Sequence, residues 1–323
     1  MHALTNSALT TFRRCEEKYR LAFLQRLSPF DEGTSRSIGS AVHKGIELLD
    51  AQAGVDWIRE ALGPPYTPAE REAVEVAAAT VEAIVTAALK QWPEWPDQRE
   101  VEFVLPLQNP TTEGFSTRHH LAGKIDGLWE DLPESVIERQ GLQRAGIGRV
   151  PAVLEIKTTS RFDQTYVARL TIDTQPTTYT LAGSIILDQL VDLVLYRVIR
   201  TPGIKRLSKV KRPDVLDEKG KPTYSPETVA EYCDRIRREY AEKPEKYLHE
   251  FFVHRAPTEH RRFRHETWEL HQRILAVERG QMTVRNTGSC VDFGRCDFLD
   301  LCSGAVGPEA YRVRATLNPE LED

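Results

Sequence analysis

Apolar residues recur at helical spacing along the first part of the chain. Leu9, Phe12, Tyr19 and Phe23 predict a helix from Ser7 to about Leu27. Val42, Ile46 and Leu49 predict a second from Ile38 to Ala53, with His43 beside the stripe. Thr67-Pro68-Ala69-Glu70 has the form of a capping box with proline in the first turn. It opens a long helix whose stripe includes Val74, Val81, Ile84 and Ala88 and which ends before Pro93. The character then changes. Val101–Leu107 and His120–Trp129 read as strands, followed by a loop rich in Gly, Arg and Glu. Ala152–Lys157 is a short apolar strand ending in charge. Helices are predicted at Phe162–Leu170 and Gln175–Leu190, a strand at Asp192–Ile199, a helix from Pro226 to about Glu242, a strand at His249–His254 and a polar helix at Thr258–Met282. The last twenty residues are expected to be irregular. The fold class is therefore α/β: a central mixed sheet flanked by helices, with mostly helical additions before and after.

Composition narrows the class. The chain has 323 residues, 40% apolar and 28% charged, as in a globular protein with room for a sizeable core. No apolar run reaches the length of a membrane span, and Met1–Leu9 lacks the layout of a secretory signal, so a cytoplasmic location is expected. The net charge of −5 gives no global attraction to nucleic acid. A DNA surface would have to be local. The run Arg197, Arg200, Lys205, Arg206, Lys209, Lys211 and Arg212, with no acidic residue between its ends, could follow a phosphate backbone or be a solvated loop or hairpin. No Gly-x4-Gly-Lys-Ser/Thr motif occurs, so a helicase ATP site is not expected within the chain.

Candidate chemistry lies in two strands. Gly123-Lys124-Ile125-Asp126-Gly127 is in one, and Leu154-Glu155-Ile156-Lys157 in the next. Alternation puts Glu155 and Lys157 on one face. If Asp126 faces them, two carboxylates and an ammonium converge. Phosphodiester hydrolysis uses such a set: carboxylates hold Mg²⁺ or Mn²⁺, and a lysine orients water or stabilises phosphoryl charge. Taken alone, Asp…Glu-x-Lys is short and is more often a cross-strand salt bridge on a solvated face. His43 on a helix and Gln175 and Tyr179 four apart on another are likewise ordinary by themselves.

In this order, however, the residues resemble the RecB-like branch of the PD-(D/E)XK nuclease superfamily. Its Gly-x-x-x-His helix matches Gly39–His43, its Gly-x-Ile-Asp strand Gly123–Asp126, its Glu-x-Lys strand Glu155–Lys157 and its Gln-x-x-x-Tyr helix Gln175–Tyr179. Ile125 stands where other members carry proline. The resemblance implies a restriction-endonuclease-like core. It implies that His43, Asp126, Glu155 and the Ile156 carbonyl ligate Mg²⁺ or Mn²⁺, that Lys157 is catalytic, and that Gln175 and Tyr179 position DNA. It further implies exonuclease action on single-stranded DNA ends in recombination, repair or CRISPR adaptation, with partners from those processes and room for an oligomer. The alternative is a catalytically silent DNA-binding or assembly subunit.

The chain has five cysteines, an odd number that argues against a disulfide framework. Cys290, Cys296 and Cys302 cluster near the end, and Cys15 lies far upstream. Four thiolates suit zinc or an iron–sulfur cluster, and spacing alone leaves both open. The resemblance to the CRISPR-associated adaptation nucleases and the AddB nuclease domain, with one cysteine before the core and three after it, implies a [4Fe–4S] cluster. Cys233 lies outside that pattern. The expected organisation is one nuclease domain over 1–323. Within it, 1–30 holds the first cluster cysteine, 36–200 the core, 201–284 a helical extension and 285–304 the cysteine segment.

Overall fold

Local signals place most element ends in the computed structural model, which describes residues 2–30, 34–141, 149–292, 294–318 and 321. After strand β1 (His2–Leu4), the Thr5 hydroxyl accepts the Ala8 N–H and starts α1 (Asn6–Arg14). The stripe expected to form one helix to Leu27 is interrupted. Cys15 is extended (φ −166°, ψ 117°), α2 (Glu16–Tyr19) follows it, and a π-helical turn at Arg20–Leu24 leads into β2 (Leu27–Ser28). Phe12, Tyr19 and Phe23 still pack ring on ring, so the spacing reported a shared buried side and not a continuous backbone. Helix α3 (Thr34–Glu47) also stops earlier than its apolar spacing predicts. Leu49 adopts a positive φ of 53°, and Asp50 caps α4 (Ala51–Leu62) through the Gln52 N–H. The Thr67–Glu70 capping box forms and opens α5 (Pro68–Gln91).

Strands β3 (Gln98–Gln108) and β4 (Phe115–Trp129) make a long hairpin. The segment expected to be a loop contains α6 (Glu134–Arg139); its residues 142–148 lie outside those described. Then come β5 (Ala152–Thr159), α7 (Gln164–Thr171), α8 (Thr174–Ile186) and β6 (Leu193–Arg200). A two-stranded ribbon follows, β7 (Val210–Leu216) and β8 (Pro222–Ser225), so the end of the basic run enters a hairpin, one of the alternatives for it. Thr228 and Glu231 form a second capping box for α9 (Val229–Glu242), which precedes α10 (Pro244–Tyr247), β9 (Leu248–His254) and α11 (Pro257–Glu278). The tail carries α12 (Leu299–Ser303) and β10 (Arg312–Val313), the latter paired with β2.

The central sheet is mixed, as expected. β4 pairs antiparallel with β3 along one edge; its other edge takes β1, parallel, at His119–Leu121 and β5, antiparallel, at Gly127–Trp129. β5 and β6 are parallel over their full length, and β9 closes the sheet antiparallel to β6. Alternation feeds two cores. Leu154, Ile156, Leu195 and Ile199 join α3, α4, α5 and α9 on one face. Val153, Val194, Tyr196 and Val198 join α1, α8 and α11 on the other.

Arg197 corrects the expected basic run. It is fully buried on β6, bonded to Glu250 at 2.8 Å and stacked near the rings of Trp92, Trp95 and Trp129. Arg206 and Arg212 are likewise taken up by Glu72 and Glu231. Among the described residues no helix is long and apolar enough to cross a membrane.

Candidate active site

The β4–β5 ladder ends at the Gly127–Leu154 pair, while β5 continues beside β6 to Thr159. Asp126 stands at this fork. Its Oδ2 accepts the Ile156 N–H at 2.6 Å, so a carboxylate satisfies a backbone donor that the ladder has left. Its Oδ1 is 3.7 Å from Nδ1 of His43, which α3 brings from the first layer. A Cβ on Gly39 would sit 3.0 Å from the Thr158 hydroxyl, so glycine there lets α3 approach the end of β5. From the second layer, α8 presents Gln175 and Tyr179. Lys157 Nζ donates to Glu155 Oε1 and to Gln175 Oε1, each at 2.5 Å, and Gln175 Nε2 donates to the Tyr179 hydroxyl at 2.8 Å. The Tyr179 ring lies edge-on to Phe103, under Gly123, where a Cβ would strike Phe103 at 2.8 Å. Two sets result, His43–Asp126 and Glu155–Lys157–Gln175–Tyr179, joined where Asp126 accepts the Ile156 N–H between Glu155 and Lys157.

The corner before Gln175 is held from behind. Arg255, 1% exposed, donates to the carbonyls of Leu170, Thr171 and Asp173. The Asp173 side chain accepts the Gln175 N–H at 3.0 Å and caps α8. The front opens into a cleft of about 1030 Å³ lined by His43, Glu100, Lys124, Asp126, Gln175 and Tyr179 among others.

Glu100 was missed in the sequence. It lies on β3 between Arg99 and Val101, which pair with Gly127 and Ile125, so it falls opposite Asp126. Its φ of 48° is left-handed, a costly conformation for a residue with a Cβ. His43, Glu100 and Asp126 can bring one ligand atom each to within 4.8 Å of one another. An isolated glutamate at the start of a strand gives no pattern; only the hairpin register reveals it.

Electrostatics favour a cation here. Burial raises the Asp126 and Glu155 carboxyls well above the usual range, and burial with Asp126 nearby pushes Glu100 up to about 7. Burial lowers His43, leaving the neutral imidazole that a metal requires. Burial alone would lower Lys157, but Glu155, Asp173 and Asp126 outweigh it and keep the ammonium charged. Asp126 and Glu155 therefore act on Lys157, while Glu100 faces His43 and Lys124. Glu155 has one oxygen on Lys157 and the other, Oε2, buried without a partner. His43, Glu100 and Asp126 are the donor set suited to a hard divalent ion, and Glu155 stands outside that trio.

The four cysteines expected to act together line one small cavity of about 180 Å³, with Arg14, Lys18 and Arg285 around it. Backbone geometry explains their approach. The break at Cys15 exposes the Arg14 carbonyl, which accepts from Asn286 Nδ2 and Ser289 Oγ. Glu16 pairs with Arg273 at 2.7 Å and accepts the Val284 N–H. Lys18 pairs with Asp297 at 3.0 Å. Burial, then Glu17 and the other three cysteines, raise the Cys302 thiol. Cys233 is buried on α9, apart from this group.

Among curated proteins, no sequence matches the chain. A family model of the PD-(D/E)XK nuclease superfamily matches residues 3–303. With that match over nearly the whole length, the chain belongs to the PD-(D/E)XK nuclease superfamily.

Proposed function

We propose that the protein is a Mg²⁺- or Mn²⁺-dependent deoxyribonuclease of the RecB-like branch, an exonuclease acting on single-stranded DNA ends in recombination, repair or CRISPR adaptation. The observation that carries the reading is the buried Glu155, with one oxygen on Lys157 and the other orphaned beside Asp126. His43, Asp126, Glu155 and the Ile156 carbonyl would hold the ion, and Glu100 adds a fourth side chain. When bound, such an ion polarises the scissile phosphate and lowers the pKa of water. Lys157, kept charged, orients the attacking water and offsets charge on the phosphoryl oxygens. Gln175 fixes the ammonium, and Tyr179 lends its hydroxyl to the strand-facing wall of the cleft. Labelled single strands blocked at the 5′ or the 3′ end, incubated with Mn²⁺, test this. Wild type should shorten strands from one free end, and Lys157→Ala should not. Equal inactivity of both proteins would refute the enzyme reading; cutting of circular strands would refute the exonuclease mode.

We further propose that Cys15, Cys290, Cys296 and Cys302 hold a [4Fe–4S] cluster. What supports a shared group is that the four side chains line one cavity of about 180 Å³. The choice of iron–sulfur over zinc rests on the resemblance of the cysteine layout to the adaptation and AddB nucleases. Iron, sulfide and zinc analysis of anaerobically purified protein decides: zinc without sulfide would overturn the assignment.

A further inference from the structure

The β7–β8 ribbon stands outside the central sheet. Its path begins at the active-site end of that sheet, where the Thr201 N–H donates to the Thr159 carbonyl at 2.7 Å, two residues past Lys157. From there the chain runs back along α9. The Tyr240 hydroxyl donates to the Arg200 carbonyl at 2.6 Å, that of Tyr232 to Ile204 at 2.7 Å, and Arg235 to the Lys205 carbonyl at 2.8 Å. The Leu207 N–H donates to Glu227 at 2.8 Å. The helix rises about 18 Å between Thr228 and Tyr240, so the ribbon is carried outward from the end of β6 by that length. A single strand extends further per nucleotide than the about 3.4 Å of a duplex strand, so this is at most about five nucleotides.

The two faces of the ribbon differ. Arg212 turns to the body of the protein, donating to the Ser225 hydroxyl, the Pro226 carbonyl and the Glu231 carboxylate. Alternation puts Lys211 on the other side, while Asp214 and Val215 are exposed in the stretch between Arg212 and Leu216 where the register shifts. Lys211 is directly opposite Tyr224 in the register, and the Lys209 ammonium lies 4.5 Å from the centre of the Tyr224 ring. Tyr224 and Val215 are 55% and 56% exposed. Among the described residues, neither lysine is in an ion pair. At the tip, Asp217 accepts the N–H groups of Lys219 and Lys221, and the exposed Glu218 directly precedes Lys219 in the chain. The face around Tyr224 therefore offers two ammonium groups outside any ion pair among the described residues and an aromatic ring, in a chain whose net charge is negative. That pairing of cations with a stacking surface is complementary to a single nucleic-acid strand, with phosphates for the lysines and a base for the ring.

We propose that the outward face of this ribbon is a docking surface for the single-stranded DNA that leads into the cleft, with Lys209 and Lys211 on phosphates and Tyr224 against a base. The proposal rests on the nuclease reading, but its test does not need cleavage. Binding is measured by fluorescence anisotropy without added Mg²⁺ or Mn²⁺, for wild type and for Lys209→Ala/Lys211→Ala/Tyr224→Ala, using a labelled strand of about 20 nucleotides and one of about four, which fills only the cleft. The long strand should bind the variant at least tenfold more weakly, and the salt slope should fall by about 1.4 for two lost phosphate contacts. The short strand should bind both proteins equally. Lys211→Glu, a single exposed change, should weaken the long strand alone if the triple variant is poorly folded. Equal affinity and equal salt slope for the long strand in wild type and variants overturn the proposal. Wild type that binds the long strand no tighter than the short one also overturns it, whatever its cleavage. Wild type that binds the long strand as expected but never cleaves it keeps the docking surface and removes the nuclease reading.

Discussion

Lys157 and Gln175 are joined Nζ to Oε1 at 2.5 Å, and this bond decides how the glutamine amide faces. With its oxygen on the ammonium, its nitrogen is left to donate to Tyr179. Lys157→Ala should reduce the cleavage rate by roughly 10²- to 10³-fold, as when a charge-stabilising donor is lost. Gln175→Leu, which leaves the lysine charged but free to turn, should cost about 10- to 100-fold. Single-turnover rates on labelled DNA check both; a Gln175→Leu enzyme as fast as wild type would show that the amide is only packing.

Glu100 makes a prediction of opposite sign in two measurements. Glu100→Gly removes a carboxylate from the site and relaxes a left-handed backbone. Calorimetric titration should show Mn²⁺ binding at least tenfold weaker. The metal-free protein should meanwhile melt at a higher temperature, by about 1 kcal/mol of released strain.

The pH dependence follows from the raised carboxyls. In the metal-free protein Glu100 titrates near 7, above its unfolded value of about 4.3. The folded state therefore holds more protons between those limits, and the contribution of Glu100 to stability is present at low pH and lost as pH rises toward 7. A divalent ion needs the ionised form, so its affinity must rise over the same interval. The increase in melting temperature on adding Mn²⁺ should be small at pH 5 and large at pH 7.5. A constant increase would contradict the site.

Arg197 should behave as a structural cation. Arg197→Met removes the Glu250 Oε2 partner and the guanidinium among three tryptophans, while Arg139 and Gln140 still hold Glu250 Oε1. The loss should be about 1–3 kcal/mol, that of a hydrogen bond to a charged group. Urea unfolding should register that loss, while DNA affinity of the remaining folded protein stays unchanged.

Cys15→Ser tests the link between the two ends of the chain. A shared group at Cys15 and Cys290 would close a loop worth up to about 5 kcal/mol of chain entropy. The variant should lose iron and sulfide together and unfold at lower denaturant. Full cluster content with serine at this position would remove Cys15 from the ligand set.

Much of this was legible in the sequence because it was local. The Thr67–Glu70 box, the alternation that sets Glu155 beside Lys157, and the four-residue spacing of Gln175 and Tyr179 each act within a few residues, and each appears as read. What was missed depended on pairing across the chain. Glu100 is identified only by the register that puts it opposite Asp126. The break at Cys15 was hidden because Phe12 and Tyr19 stay in contact across it. Arg197 read as a surface cation because nothing local says that Trp92, Trp95 and Trp129 converge on it. The ribbon was foreseen only as a hairpin alternative for the basic run, without strand bounds, because proline and charge interrupt its alternation at Pro213 and Asp214.

The fork between β4 and β5 has a mechanical consequence. Past Gly127 the seam is fastened by a carboxylate on an amide instead of by the sheet's own rungs. A small parting of the two strands would change the separation of Asp126 from Glu155 while leaving every ladder bond intact. The spacing of the two carboxylates past the fork thus rests on that one contact, and an ion held between the strands would act as a clasp. Exchange of the Ile156 amide with solvent deuterium should slow when the clasp is closed.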